Sequence, residues 1–112
     1  EWGGFQIPNV VEHSWDKLAS EQGWGYAKLK SKEELTKKYV TAINGTMSEL
    51  AKGGLCGCIY TQTTDVEEEI NGLMTYDRIL KVDFKEVFDA NENINLMVER
   101  LEDDAISTRS KM

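Results

Sequence analysis

A chain of 112 residues lies within the usual size of one domain, and 40% hydrophobic residues are enough for an ordinary core. The net charge of −7 belongs to the C-terminal half: residues 62–112 hold thirteen acids against six bases, whereas residues 1–61 hold seven acids and seven lysines. That half repels a polyanionic nucleic acid, no Lys/Arg cluster with interleaved aromatics occurs elsewhere, and no run approaches the roughly 18 apolar residues of a membrane span, so neither nucleic acid nor membrane is an expected partner. Nothing near residue 1 has the order of a signal peptide, but in a part of a longer protein this assigns no compartment to the parent.

In chain order, residues 2–30 scatter Gly3, Gly4, Pro8, Gly23 and Gly25 among Trp, Phe and Tyr with no period of 2 or 3.6. We read 1–30 as a long irregular loop, a length often associated with function. Ser31-Lys32-Glu33-Glu34 then has capping-box spacing, and Leu35, Tyr39, Ala42, Ile43, Met47, Leu50 and Ala51 recur at three- and four-residue steps. This predicts a helical segment over 31–53, the helix proper at about 32–52, with Gly53 and Gly54 supplying a C-terminal cap. Asn44-Gly45-Thr46 matches the glycosylation pattern but lies inside that helix, which makes it a coincidence of sequence.

Leu55-Cys56-Gly57-Cys58-Ile59-Tyr60-Thr61 is short, mostly apolar and bounded by turn residues, as expected of a strand buried on both faces. Cys56 and Cys58 would share one face of it, a poor geometry for a disulfide with each other, and a zinc site would need more ligands than the single His13 adds. Reduced core thiols are the expectation. Residues 62–82 read as a loop, with a turn at Asn71-Gly72 and a short extended piece at Leu73–Tyr76. Its acidic run Asp65–Glu69 lacks the alternating pattern of a calcium loop, so it is expected to be solvated, with Arg78 pairing one of its acids. Asp83 with Glu86 offers a second N-cap for a helix over 83–103, interrupted near Asn91–Asn95, before a frayed tail at 104–112. A helix leading through a tight turn into a buried strand is an α/β unit.

Four ordered motifs carry a further implication: Glu1-Trp2-Gly3-Gly4, Val11-Glu12-His13-Ser14-Trp15, Gly25 through Glu34, and Tyr60 through Arg78. Together they resemble the end of the catalytic domain in glycoside hydrolase family two, the β-galactosidase and β-glucuronidase family. The resemblance spans most of residues 1–83. It implies an α/β fold that is part of a (β/α)8 TIM barrel, restricted to the last strand–helix units. The end of strand seven would lie at residue 1 and strand eight at 55–61, with the site at the C-terminal rim of the strands.

By the same resemblance Glu1 is the catalytic nucleophile and the substrate a β-linked galactoside, glucuronide or similar glycoside. Trp2 would wall the sugar pocket. Tyr60 stands where the family usually has an aromatic residue, often Trp; it is a stacking platform or a core tyrosine. Gln62 and Asp65 are positioned to bond sugar hydroxyls or water, and His13 to anchor the loop or touch sugar. Retaining hydrolysis needs two carboxyl groups and neither metal nor organic cofactor. The family's acid/base, the Glu of an Asn-Glu pair after strand four, has no match here in the required order. The chain is therefore expected to act only with the rest of the parent barrel as partner. A noncatalytic carbohydrate-binding module built on Trp2, Trp15, Trp24 and Tyr60, or a plain helical scaffold, are the rival readings.

Overall fold

The computed structural model describes residues 1–7 and 27–111, a mixed α/β arrangement. Strands β1 (Trp2–Gly3) and β4 (Tyr60–Thr61) pair in parallel, Trp2 opposite Tyr60 and Gly3 opposite Thr61. Trp2 N donates to Ile59 O and Gly4 N to Thr61 O, each at 2.8 Å, which extends the ladder at both ends. Strands β2 (Phe5–Gln6) and β3 (Ala27–Lys28) form a second parallel pair. Parallel neighbours require a long crossover, and between β1 and β4 the chain supplies it with helix.

The crossover helix starts where the capping-box spacing predicts. Ser31 Oγ accepts from Glu34 N at 3.2 Å, and the Glu34 carboxylate reaches back to Lys30 N at 2.6 Å. Helix α1 (Lys32–Ala42) runs into a π-helical turn over Ile43–Met47 and then into α2 (Ser48–Lys52). Ser48 Oγ donates to Ile43 O at 2.7 Å, bracing the wide turn. One extra residue per turn advances the helical phase by about 100°. The apolar stripe therefore splits: Leu35, Tyr39 and Ile43 are buried, while Leu50, assigned to the same stripe, is half exposed. Gly54 closes the segment at φ +110°.

Helix α3 (Phe84–Ser110) is capped by Asp83, whose side chain accepts from Glu86 N at 3.1 Å. It continues past the expected interruption at 91–95 and through the expected tail. Two features go with this, one at each place. Asn91 does not turn on its own backbone, because its Oδ1 accepts from Tyr39 Oη at 2.9 Å and the side chain becomes a tie between helices. Nearer the end, Thr108 and Ser110 return their hydroxyls to the carbonyls of Asp104 and Ile106, and no Gly or Pro stands between 84 and 110 to stop the helix.

Ile7, Leu35, Tyr39, Ile43, Val82, Val87 and Ala90 form the core, where α1, the first turns of α3 and the strand residues meet. Residues 101–110 of α3 are exposed and project from this body, giving the molecule a length of 62 Å. Among the described residues no helix is long and apolar enough to cross a membrane.

The expected buried strand over 55–61 is corrected to its last two residues. Leu55–Ile59 are exposed, Ile59 by 73%, because among the described residues only β1 pairs with this stretch, and only at its outgoing end. Cys56 and Cys58 are accordingly free and exposed rather than core thiols.

Candidate functional site

Glu1 lies beside the outgoing end of β4. Its Oε1 accepts a hydrogen bond from Thr61 Oγ1 at 2.7 Å, across sixty residues of sequence. Side chains alternate along a strand, so Thr61 points away from Tyr60 and meets Glu1 on the face that Tyr60 leaves free. Glu1, Trp2, Gly3 and Thr61 line a depression of about 260 Å³. That is less than the roughly 300–1,000 Å³ of a ligand pocket for a drug-sized molecule, and so amounts to one wall of such a site. Two larger hollows of about 540 and 550 Å³ lie along α1. The first is lined by Glu33, Asp83 and Glu86 with Lys32 and Lys37, the second by Phe5, Leu29, Lys37 and Lys38. Neither includes Glu1, and we take the smaller depression as the site because there a carboxylate is oriented by a donor from another element.

Gly3 is what allows the strand to pass so close. Its φ is +98°, and a Cβ there would lie 2.3 Å from Tyr60 Cε2. Gly3→Ala should destabilise the chain by about 1–3 kcal/mol through overpacking. Urea unfolding checks this, with near-UV dichroism reporting the displaced aromatic rings.

Tyr60 has neighbours on several sides. Its ring centroid is 4.8 Å from that of Trp2, 5.0 Å from Tyr39 and 6.3 Å from Phe5. Tyr39 in turn lies 4.9 Å from Trp2, so the four rings form one cluster between β1, β4 and α1. These contacts are edge-on and tilted, and they set Tyr60 against the core as a partly buried residue, the second of the two roles expected for it. Its hydroxyl is buried beside the Phe5 backbone without a hydrogen bond of ordinary geometry, and burial, then the neighbouring Tyr39, push its ionisation far up. Trp2 has two positions in one: its indole belongs to the cluster, yet the residue also lines the Glu1 depression. His13 lies outside the described residues.

Gln62 Nε2 donates one hydrogen bond to Glu69 O at 3.1 Å, which ties the side chain into the loop. In the loop 62–82 the middle of the acidic run, Val66–Glu68, is exposed as expected, but the loop around it is folded. Leu73 N donates to Gln62 O and Thr63 O, Met74 N to Thr63 O, and Asp65 N to Met74 O, so the loop doubles back on itself. At its centre Lys81, 1% exposed, donates from Nζ to Asp65 Oδ1 at 2.8 Å and to Ile70 O at 2.9 Å. The same Asp65 oxygen accepts from Gly72 N at 2.8 Å. Burial raises the Asp65 ionisation against the lowering effect of Lys81, and lowers that of Lys81 against the raising effect of Asp65. Asn71 and Thr75 are as deeply buried as Lys81, so this loop has a polar interior.

Sequence reasoning missed this pair. The available signal was Lys81 itself, a lone cation within the apolar run Ile79-Leu80-Lys81-Val82. A charge so placed needs a buried partner, and Asp65 and Asp77 are the acids of the loop without an acidic neighbour, Asp77 standing instead beside Arg78. Arg78, expected to pair an acid, donates from Nη1 to Tyr76 O at 2.6 Å, a local bond at a residue with φ +72°. No protein-family model matches the chain, and no curated protein matches it.

Proposed function

We propose that this chain is the C-terminal part of a retaining glycoside hydrolase whose catalytic domain is a (β/α)8 barrel, acting on β-linked galactosides, glucuronides or similar glycosides, with Glu1 as nucleophile. The observation that carries this reading is the parallel pairing of Trp2–Gly3 with Tyr60–Thr61, across which Thr61 Oγ1 holds the Glu1 carboxylate at 2.7 Å. Adjacent parallel strands joined by a helical crossover are the repeating unit of such a barrel, and its chemistry sits at the outgoing ends of the strands. The exposed apolar residues Leu55 and Ile59 beside β4, and Phe84 and Phe88 on α3, agree with surfaces that neighbouring units would cover.

In the reaction, a Glu1 oxygen attacks the anomeric carbon as the glycosidic C–O bond breaks, and the leaving oxygen takes a proton from a second carboxyl group about 5–5.5 Å away. Water then cleaves the glycosyl ester, giving its proton to that second carboxylate and releasing Glu1. In this account the second carboxyl group belongs to the rest of the parent barrel. Thr61 donates to the Oε1 of Glu1 and so orients the attacking group, and the chain by itself turns over no aryl β-glycoside.

Titration with simple β-glycosides, followed by tryptophan fluorescence, tests the assignment. Binding that is weakened when Glu1→Gln removes the charge supports it. Saturable binding indifferent to Glu1→Gln would favour a noncatalytic binding module.

A further inference from the structure

Thr61 is the last residue of β4, and the chain passes from it directly into the loop 62–82. The Thr61 hydroxyl is thus held from two sides, by the pairing with β1, where Gly4 N donates to Thr61 O, and by the anchoring of that loop. Its first residues are not anchored by apolar packing: Gln62 and Thr63 are held through their carbonyls by Leu73 and Met74, and Asp65 N by Met74 O. The returning segment is held by two bonds that meet on Asp65 Oδ1, from Gly72 N and Lys81 Nζ, and by a third from Lys81 Nζ to Ile70 O. Lys81 N also donates to Leu73 O at 2.8 Å, and Val82, the next residue, belongs to the core. The ion pair is therefore one of the ties, beside Leu73 packed on the core, that hold the segment after Thr61 to the molecule's interior.

We propose that Asp65 and Lys81 are positioning residues for the Glu1 carboxylate: their buried pair fixes the folded-back loop 62–82, and through it the Thr61 hydroxyl that orients Glu1. The catalytic meaning of this rests on Glu1 being the reacting group. The mechanical coupling does not, and it can be read on the free chain. Neither residue touches the depression at Glu1; they act through the backbone of residues 62–65. Asp65→Asn keeps an oxygen where Gly72 N and Lys81 Nζ donate, whereas Asp65→Ala removes it and Lys81→Met removes the cation at similar length.

The test is carbon-13 NMR of chain labelled at the glutamate carboxyl carbons, with the Glu1 signal assigned by its loss in Glu1→Gln, alongside amide hydrogen exchange. Thr61→Val defines the signal of a Glu1 without its donor. The proposal expects Asp65→Ala and Lys81→Met to move the Glu1 signal toward that value and to speed exchange at Asp65, Gly72 and Met74 by about tenfold or more, while α1 amides stay protected. Asp65→Asn, which keeps the acceptor oxygen but not the charge, should change both less than Asp65→Ala does. If the loop amides open and the Glu1 signal stays at its wild-type position, the pair serves the loop alone and the proposal is overturned. A Thr61→Val variant with no effect on the Glu1 signal overturns it equally, and that measurement needs no change at the buried pair should Lys81→Met fail to fold. Failure here would leave the glycosidase reading standing, since that reading is decided by substrate and not by the resonance of the free chain.

Discussion

Lys81→Met lowers the unfolding free energy by about 3–5 kcal/mol at neutral pH, the range for removing one partner of a buried pair and leaving the other charge uncompensated. The pair itself is no large source of stability: burial opposes the charged form of each partner, raising Asp65 and lowering Lys81 despite their 2.8 Å contact. What the variant exposes is the cost of an orphaned carboxylate at a site whose side chain is only 13% accessible. The pH dependence follows from the same directions. Without Lys81 its hydrogen bond and its charge no longer lower the Asp65 ionisation, only the bond from Gly72 N still does, and burial raises it further. The folded variant then binds a proton at pH values where the unfolded chain does not, so its stability rises as pH falls toward the ordinary carboxylate range. The deficit against wild type should shrink on acidification, and Asp65→Asn combined with Lys81→Met should recover most of it at neutral pH. Urea unfolding of the wild type and the two variants at several pH values checks each point.

Gly72→Ala is expected to be nearly as damaging, at the upper end of the roughly 1–3 kcal/mol typical of overpacking or beyond it. A Cβ at residue 72 would lie 2.4 Å from Thr64 C, 2.5 Å from Asp65 N and 2.8 Å from Met74 O. All three are backbone atoms, so no rotamer change relieves the contact. Relief requires the loop to spread, which breaks the bond from Gly72 N to Asp65 Oδ1. Thermal unfolding measures the loss, and faster amide exchange at Asp65 and Met74, with the α1 amides unchanged, would localise it to the loop.

The helices were legible because their signals are local. Ser31 and Asp83 cap the helices their spacing predicts, and Leu35, Tyr39 and Ile43 face the core as their period requires. The π turn at 43–47 was not legible, since Asn44-Gly45-Thr46 carries no marker of an added residue and the stripe on paper runs straight through it. Asn91 illustrates the converse: a helix breaker by propensity becomes a helix link once Tyr39, fifty-two residues away, supplies a donor. The site divides in the same way. Glu1 and the end of β4 were found from motifs, and they do meet. Tyr60 packs against Trp2 and Tyr39, and because a core contact and a sugar platform call for the same residue type, the sequence offers both roles. Asp65 and Lys81 were missed because sixteen residues separate them and their pairing depends on how the loop folds back.

Mechanism-based labelling tests the central claim most directly. The full polypeptide whose reading frame contains this segment would be treated with a 2-deoxy-2-fluoro-β-glycoside bearing a good leaving group, then digested and mapped by mass spectrometry. We expect one glycosyl ester, on the peptide that contains Glu1, and turnover of the ordinary substrate with retention at the anomeric carbon. A label on a different carboxylate, or hydrolysis with inversion, would contradict the assignment of Glu1 and with it the function proposed for this chain.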